Sequence, residues 1–343
     1  MNLKMLAAHL GLSQTTVSRA LNGYPEVSEG TRRRVIEAAQ LLNYAPNARA
    51  KGLATGRAMA IGHVIPISTQ HEMMNPVFGD FIAGASETYL KAGYDMTLTV
   101  TGDEDEAQNY RRLQSKGNVD GIIVHGPKMA DGRIAFLNGL RMPFVVHGRA
   151  SRLDAPYSWI DMNNTDAFRR ATSFLLDLGH RRIALVNGLE FMDFAFRRRH
   201  GYELALAERG LAPEPELMQS EEMTEPYGYR AAGRMLALAE PPTAILCSSL
   251  ISAIGVRRAI HEAGLAMGRD VSVITHDDDL SYLKNGQDVP IFTAIRSSVR
   301  KAGEILAQCL VDQINAPDAP PEQRMLEADL LVGRSTGPAP QRT

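Results

Sequence analysis

The sequence predicts two structural classes in one chain: an all-α helix-turn-helix head at the N-terminus and an α/β body of two lobes. Two observations support this prediction. Within residues 6–22, apolar side chains recur at helical spacing on both sides of a glycine. From residue 60 onward, short Val/Ile/Leu runs alternate with helical patterns. At 343 residues the chain is long enough for two or three domains.

Residues 6–22, LAAHLGLSQTTVSRALN, read as two short helices that meet at a sharp turn. Gly11 stands where the first helix must end, and Ser13 is placed to cap the second. The inner faces of the two helices carry Leu6, Ala7, Leu10, Leu12, Val17 and Leu21. The outer face of the second helix carries Gln14, Thr15, Thr16, Ser18 and Arg19.

Short hydrogen-bonding side chains with one forked cation suit the phosphates and base edges of a DNA major groove. A helical hairpin that merely packs on a neighbour would explain the apolar face, but not this polar cluster. We therefore favour DNA binding for residues 1–45.

A third helix completes the head. Asn22 and Gly23 end the second helix, and Ser28 begins the third, with Thr31 in its first turn. The apolar stripe expected to close the three-helix core consists of Val35, Ile36, Ala39, Leu41 and Leu42. The net positive charge of the N-terminal residues also favours a polyanion as the partner of this end of the chain. Residues 1–60 hold eight basic and three acidic side chains, whereas the remainder holds 29 basic and 36 acidic ones.

Residues 46–59 read as a hinge helix and linker, because they are small and polar with interspersed basic side chains. Asn47 is placed to cap a short helix through Ala50 and Leu53. A helix shorter than about 12 to 15 residues is marginal in water, so we expect this one to order only when something packs on it.

Residues 60–335 form the predicted body. Continuous apolar strands between helices indicate parallel sheets covered on both faces, and the length exceeds one comfortable core. The expected lobes are about 60–157 with 293–322, and about 158–292 with 323–335; residues 336–343 are expected to be a frayed tail. Ligands in open α/β sheets bind at the carboxyl ends of strands. The loops of interest therefore follow residues 66, 100, 126, 148, 188, 249 and 278.

Several classes of protein are disfavoured by the sequence. No apolar run approaches the roughly 20 residues of a membrane span, and the N-terminus lacks an apolar signal core, so we expect a cytoplasmic protein without membrane contact. Cys247 and Cys309 lie in apolar contexts and are expected to be reduced core thiols. We found no phosphate loop, nucleophile elbow or metal-ligand spacing, so we expect no enzyme, cofactor or metal. The acidic run at residues 277–279 alone is weak support for a cation.

Residues 12–56, LSQTTVSRALNGYPEVSEGTRRRVIEAAQLLNYAPNARAKGLATG, carry a resemblance to the lactose-repressor (LacI/GalR) family of bacterial transcription regulators. The body is similar at IGHVIP, VDGIIVHGP, DLGHRRIALVNG, RRRHGYELAL and VSVITHDDDL, so the resemblance covers nearly the whole chain. It implies a body like that of the periplasmic binding proteins, which binds an effector between its lobes.

The resemblance also implies roles for single residues. Gln14, Thr15 and Arg19 match positions that read major-groove bases, with Thr16, Ser18 and Asn22 nearer the DNA backbone. Asn47 and Ala50 match residues along the minor groove, and Leu53 matches an intercalating leucine. Arg198 and Asp277 match an arginine and a carboxylate that bind a sugar's hydroxyls, although a salt bridge between the lobes is the alternative. Further implied effector contacts are Asn75, Phe78, His147, Arg149, Asp161, Met223, Ser249 and Ser297.

The sequence departs from the family at Ser249, where many members carry Asn, and at Thr275–His276, which replaces a Gly-aromatic pair. The combination of the segments MNLKMLAAHLGLSQTTVSRALNGYPEV, FVVHGR and SSVRKAGE looks most like regulators of α-glucoside and related sugar operons. Our hypothesis is a homodimeric repressor that binds a pseudo-palindromic operator and is released by a sugar. The first alternative is a corepressor system with a purine or phosphorylated ligand. A sugar-transport protein and an enzyme are less favoured.

Overall fold

The computed structural model describes residues 1–44, 56–66, 75–102, 106–276 and 279–341. The chain divides into two compact units, Met1–Ala58 and Met59–Thr343. The predicted hinge residues Asn47, Ala50 and Leu53 and the predicted effector residue Asp277 lie outside the described residues.

The first unit contains the three predicted head helices, α1 (Leu3–Leu10), α2 (Gln14–Leu21) and α3 (Glu29–Leu41). Their ends confirm the predicted caps. Gly11 ends α1 in the left-handed region, at φ 65°, where glycine is favoured because it has no Cβ. The Ser13 hydroxyl accepts a hydrogen bond from the Thr16 N–H at 3.0 Å, and Ser28 caps α3 in the same way.

The core of the head is built around Leu6, Val17 and Val35, which are fully buried. The predicted stripe on α3 is wrong at two positions: Ile36 and Leu41 are 40% and 81% exposed. At 3.6 residues per turn, the face that contains Val35 continues through Ala38 and Ala39, which are buried. Residues 36 and 41 fall outside that face.

The second unit is the α/β body. Its strands in chain order are β1 (Ala60–Pro66), β2 (Asp95–Thr101), β3 (Gly121–Val124), β4 (Phe144–His147), β5 (Ser158–Met162), β6 (Ile183–Asn187), β7 (Met218–Ser220), β8 (Ala244–Cys247), β9 (Ser272–His276), β10 (Thr293–Arg296), β11 (Gln323–Leu326) and β12 (Asp329–Leu331). Its helices are α4 (Pro76–Ala92), α5 (Glu106–Lys116), α6 (Gly132–Leu140), α7 (Asn164–Asp177), α8 (Asp193–Ala207), α9 (Glu225–Leu236), α10 (Leu250–Glu262) and α11 (Val299–Asn315).

The described strands form two six-stranded sheets, one in each lobe. The first has the order β11-β5-β4-β3-β1-β2 and is parallel throughout. The second has the order β12-β10-β9-β8-β6-β7 and is parallel except for the edge strand β12. The strands β3, β6, β8 and β9 are buried along their whole length, as expected for parallel sheets covered by helices on both faces.

The predicted lobe boundaries were wrong by one strand at each crossing. Strands β5 and β11 belong to the first sheet, although residues 158–162 and 323–326 had been assigned to the second lobe. Strand β10 belongs to the second sheet, although residues 293–296 had been assigned to the first. At each boundary the chain completes a strand of one sheet and crosses to the other lobe only after the carboxyl end of that strand. Apolar patterning marks the strand but does not show which sheet it joins.

The expectation of a frayed tail was also wrong for the part of it that the structure describes. The Gly337 N–H donates to the Ser272 hydroxyl at 3.1 Å, and the Ala339 N–H donates to the Leu178 carbonyl at 2.9 Å. These bonds tie residues 336–341 to the second lobe. Cys247 and Cys309 are buried free thiols, as predicted. Within the described ranges, no helix has the length and apolar character to cross a membrane.

Glycines allow neighbouring helices in the body to approach closely. A Cβ added at Gly228 of α9 would lie 2.0 Å from the Ser252 carbonyl oxygen of α10. A Cβ at Gly303 of α11 would lie 2.2 Å from the Phe81 carbonyl oxygen of α4. Real atoms cannot approach so closely, so a side chain at either position would force the helices apart.

We expect Gly228→Ala to lower the free energy of unfolding by about 1–3 kcal/mol, because overpacking must displace the backbone of α10. Gly233 lies on the same helix in open space and provides the matched control. Gly233→Ala should be neutral or slightly stabilising, because alanine favours the helix. Urea unfolding of both variants measures the difference. Equal stability of the two variants would contradict the close approach of α9 and α10.

Candidate functional site

The six side chains of the helix-turn-helix predicted to meet DNA belong to α2 and to Asn22, the residue that caps its C-terminal end. Gln14, Thr15, Arg19 and Asn22 are exposed, and Thr16 and Ser18 are half-buried. The polar face of α2 is therefore accessible, because the apolar face of the same helix packs against the core of the head.

Local hydrogen bonds divide these side chains into two groups. The Thr16 hydroxyl lies 2.9 Å from the Ser13 hydroxyl, and the Asn22 amide donates to the Ser18 carbonyl at 2.8 Å, so both groups support the helix ends. Within the described part of the chain, the side chains of Gln14, Thr15 and Arg19 make no hydrogen bond. These three, the positions to which the resemblance assigns base reading, are available to a ligand.

Arg32, by contrast, has a structural role. Its guanidinium donates to the Tyr24 carbonyl at 3.0 Å and pairs with Glu29 at 3.1 Å, so it holds the turn that follows α2. Arg33 and Arg34 are exposed on α3. The basic run of the head therefore has one member committed to the fold and two facing outward.

In the body, the carboxyl ends of strands from both sheets surround a cavity of about 550 Å³. Its lining includes residues within two positions after the ends of β3, β4, β6, β8 and β10, among them Gly126, Gly148, Gly188 and Ser249, together with His276, the last residue of β9. This is where ligands bind in open α/β sheets. Of the loops singled out in the sequence, those after residues 100 and 278 contribute no described residue to the lining.

The structure brings most of the predicted effector residues to this cavity. Those that line it are Asn75, Phe78, His147, Asp161, Arg198, Met223, Ser249 and Ser297. Arg149 is not among the lining residues: its guanidinium pairs with Asp161 at 3.1 Å and covers the Trp159 ring. The predicted partner of Arg198, Asp277, lies outside the described residues.

Arg198 is a buried cation that lines the cavity, with 5% of its surface exposed. Its guanidinium donates to the Asn164 side-chain oxygen and to the Ser248 carbonyl, both at 2.7 Å, and contacts the His276 ring at 3.2 Å. The Phe168 and Phe194 rings lie 5.3 and 4.9 Å from the guanidinium carbon. Hydrogen bonds and cation–π contacts thus hold this cation in place before any ligand binds.

A second buried cation, Arg197, joins the two lobes. It pairs with Asp161 at the end of β5, in the first lobe, and with Asp193 of α8 at 2.5 Å. Asp193 in turn accepts a hydrogen bond from the Ser151 N–H at 2.5 Å, and its own N–H donates to the Pro127 carbonyl. Burial raises the pKa of Asp161, while the positive charge of Arg197 opposes that effect. A salt bridge between the lobes therefore exists, but Asp161 and Arg197 form it.

Aromatic rings form one wall of the cavity. Phe81 stacks on His147 with ring centroids 4.3 Å apart, and the edge of His125 meets Phe81 at 5.2 Å and Phe78 at 5.4 Å. A fixed cation, the buried Ser249 hydroxyl and aromatic rings can bind the hydroxyls and the C–H faces of a sugar. In the described ranges, no group of three or more His, Cys, Asp or Glu side chains could hold a metal ion.

Sequence reasoning missed several lining residues, including Phe81, His125, Arg197 and His276. His125 and His276 were within reach of the strand-end rule, because each stands at the carboxyl end of an apolar run. The role of Arg197 could not be found in this way. Residues 197–199 are all arginine, and the sequence does not show which of them joins the lobes and which faces the cavity.

Two family descriptions match the chain. "Bacterial regulatory proteins, lacI family" matches residues 2–47, and "Periplasmic binding protein-like domain" matches residues 172–336. The first covers the head helices with the exposed face of α2. The second covers most of the second lobe.

Known proteins are similar over nearly the full length. The HTH-type transcriptional regulator AglR of Rhizobium meliloti (strain 1021) is 47% identical over 343 residues, 100% of this chain and 96% of that protein. The solved structure of a transcriptional regulator CelR–cellobiose complex is 26% identical, with a TM-score of 0.72 and coverage of 98% and 99% of the two chains. The lac repressor dimer bound to operator and the anti-inducer ONPF has a TM-score of 0.84 at 24% identity over 98% and 99% of the chains, which shows a common fold.

Proposed function

The chain belongs to the lacI family of bacterial transcription regulators, and we propose that it represses a carbohydrate-utilisation operon until a sugar binds between its lobes. The observation that carries this proposal is the pairing of two sites in one chain. The head presents unpaired polar side chains on α2, and the body holds a cavity with a fixed cation and aromatic rings. The protein would work in the cytoplasm, where operator DNA lies, and it needs no catalytic step.

A neutral sugar suits the cavity for chemical reasons. The Arg198 guanidinium provides N–H donors for hydroxyl oxygens, and the aromatic side chains of Phe78, Phe81 and His147 line the same cavity. The volume of about 550 Å³ is in the range of ordinary small-molecule sites and accommodates a disaccharide. We propose an α-glucoside, following the resemblance of FVVHGR and SSVRKAGE. A purine or phosphorylated corepressor is the competing outcome of a ligand titration.

The two sites act on each other through the segment between head and body. The resemblance assigns Asn47 and Ala50 to the minor groove and Leu53 to a central base step. We propose that two copies of the chain bind a pseudo-palindromic operator with these segments side by side. Sugar binding changes how the lobes close, which disturbs that pairing and lowers the affinity for operator.

Arg19 provides the test of DNA reading. A guanidinium fork matches the O6 and N7 atoms of guanine, and such a bidentate pair contributes roughly 1–3 kcal/mol of discrimination. We expect Arg19→Lys to bind the operator about ten- to a hundredfold more weakly, with little change on a scrambled duplex, because the charge remains and only the fork is lost. Arg19→Ala should also reduce the salt dependence of binding.

The measurement is a fluorescence anisotropy titration on a duplex that the full chain selects from a random pseudo-palindromic library, repeated at several salt concentrations. Gln114→Ala in the body serves as a control that leaves the head intact. An Arg19→Lys variant that distinguishes the selected duplex from the scrambled one as strongly as the wild type does would contradict base reading by Arg19.

A further inference from the structure

A chain of three buried side chains leads from the interior of the first lobe to the cavity wall. The Tyr89 hydroxyl lies 2.9 Å from His63 Nε2, and His63 Nδ1 lies 3.0 Å from His125 Nε2. All three residues are buried, and of the three only His125 lines the cavity. Tyr89 and His63 therefore act on a ligand only through His125.

Both histidines are uncharged near neutral pH. Burial lowers the pKa of His63 to about 3, and the neighbouring His147 adds to the effect. Burial also holds the pKa of His125 well below its usual range, with His63, His147 and Arg133 adding to it. A neutral imidazole carries one N–H donor and one bare nitrogen acceptor. The hydrogen bonds therefore decide which nitrogen of each ring holds the proton.

The tyrosine sets the direction of the chain. Burial raises the pKa of Tyr89, so its hydroxyl keeps its proton. Within the described residues, His63 is the hydrogen-bond partner of that hydroxyl. If the hydroxyl only accepted, its own proton would be buried without a partner, which is costly. The Tyr89 O–H therefore donates to His63 Nε2, and the His63 Nδ1–H donates to His125 Nε2. The proton of His125 then resides on Nδ1.

We propose that Tyr89 and His63 are positioning residues that fix His125 as the Nδ1–H tautomer, so that it offers the effector one hydrogen-bond donor. This inference rests on the proposed function, because it takes the cavity as the effector site. The complementary group is an acceptor oxygen of the sugar, either a hydroxyl or a ring or bridging oxygen.

The surroundings make this donor selective. His125 Nδ1 has no hydrogen-bond partner among the described residues, and the rings of Phe78, Phe81 and His147 surround the imidazole. An effector without an oxygen at this place would leave the N–H unpaired, and a site that expects a hydrogen bond rejects such a ligand strongly. The hydrogen-bond chain would thus restrict the effector at one position of its ring.

The test uses the full chain with Tyr89→Phe, which keeps the ring and removes the hydroxyl. Tyr110→Phe is the matched control, because Tyr110 is a buried tyrosine of the same lobe whose hydroxyl donates to Glu106. The first readout is the tautomer of His125 in ligand-free protein, from NMR spectra with ¹⁵N-labelled histidine rings. The His125 signals are those missing in His125→Gln. The second readout is calorimetry with maltose, sucrose, trehalose and cellobiose.

We expect wild-type His125 to carry its proton on Nδ1, and Tyr89→Phe to give a mixture of tautomers with three- to tenfold weaker sugar binding, roughly the value of one hydrogen bond. Tyr110→Phe should change neither readout. A proton on Nε2 in the wild type would overturn the inference, whether or not the variant folds. A Tyr89→Phe variant that matches Tyr110→Phe in the tautomer of His125, or in sugar affinity where the wild type binds a sugar, would also overturn it. If no sugar binds the wild type, the proposed function fails, and the ligand-free tautomer still decides whether the hydrogen-bond chain exists.

Discussion

Replacing Arg198 with methionine is expected to weaken sugar binding by about thirtyfold or more, because a hydrogen bond from a charged donor contributes roughly 1.5–3 kcal/mol. Methionine keeps most of the side-chain length between the Phe168 and Phe194 rings, so the lining should keep its shape. The N–H donors that a sugar's hydroxyls require would be lost. Operator binding without sugar should persist, so the variant would repress but not respond.

Arg199→Met is the matched control for this prediction. Arg199 is adjacent in sequence, is half-exposed and pairs with Glu190 and Glu203 at the surface. It does not line the cavity. Calorimetric titration with the panel of disaccharides, together with operator binding measured in parallel, compares the two variants. If Arg198→Met and Arg199→Met bound sugar equally well, Arg198 would have no place in the effector site.

Arg197→Met is expected to lower the free energy of unfolding by about 3–5 kcal/mol, the usual cost of removing one partner from a buried ion pair. The substitution leaves Asp161 and Asp193 as buried carboxylates that have lost their shared cation. Arg149 also pairs with Asp161, so it neutralises part of the charge of that carboxylate, whereas Asp193 has no such second cation among the described residues. The loss should appear in the body, where Arg197 joins the lobes.

Urea unfolding of the full chain, followed by the fluorescence of Trp159, measures this effect. Arg199→Met again serves as the control and should change stability by less than about 1 kcal/mol, because exposed ion pairs contribute little. The double variant Arg197→Met with Asp161→Asn should recover part of the loss, since one unpaired charge is then removed. Equal stability of the Arg197 and Arg199 variants would contradict a buried bridge between the lobes.

The head could be derived from sequence in most of its detail, because its determinants are local. Gly11, Ser13 and Ser28 each act on a helix end within three residues, so spacing alone places them. The expectation failed at Ile36 and Leu41. They were assigned to the core because they are apolar, although their angular positions on α3 place them away from the buried face. A residue that is apolar but off the buried face remains exposed.

The cavity could be located but not resolved in detail. Parallel strands converge at their carboxyl ends, so the loops after residues 126, 148, 188 and 249 were the right ones to examine. The role of Arg197 depends on its contact with Asp161, which belongs to the other lobe. The role of Arg198 depends on contacts that include Phe168, which lies on another helix. The hydrogen-bond chain from Tyr89 through His63 to His125 joins residues up to 62 positions apart, and no local pattern marks it. Which sheet β5, β10 and β11 join is likewise decided by contacts with residues far away in the sequence.

The most direct test of the whole account is the affinity of the full chain for its selected operator duplex, measured with and without saturating sugar at one fixed salt concentration. We predict that the selected duplex binds far more tightly than a scrambled one, and that maltose or another sugar of the panel weakens this binding by about 5- to 150-fold, the usual range of coupling between two sites. By linkage, operator should weaken sugar binding by the same factor. Operator affinity that no sugar changes, or that a purine such as hypoxanthine strengthens, would contradict a sugar-released repressor.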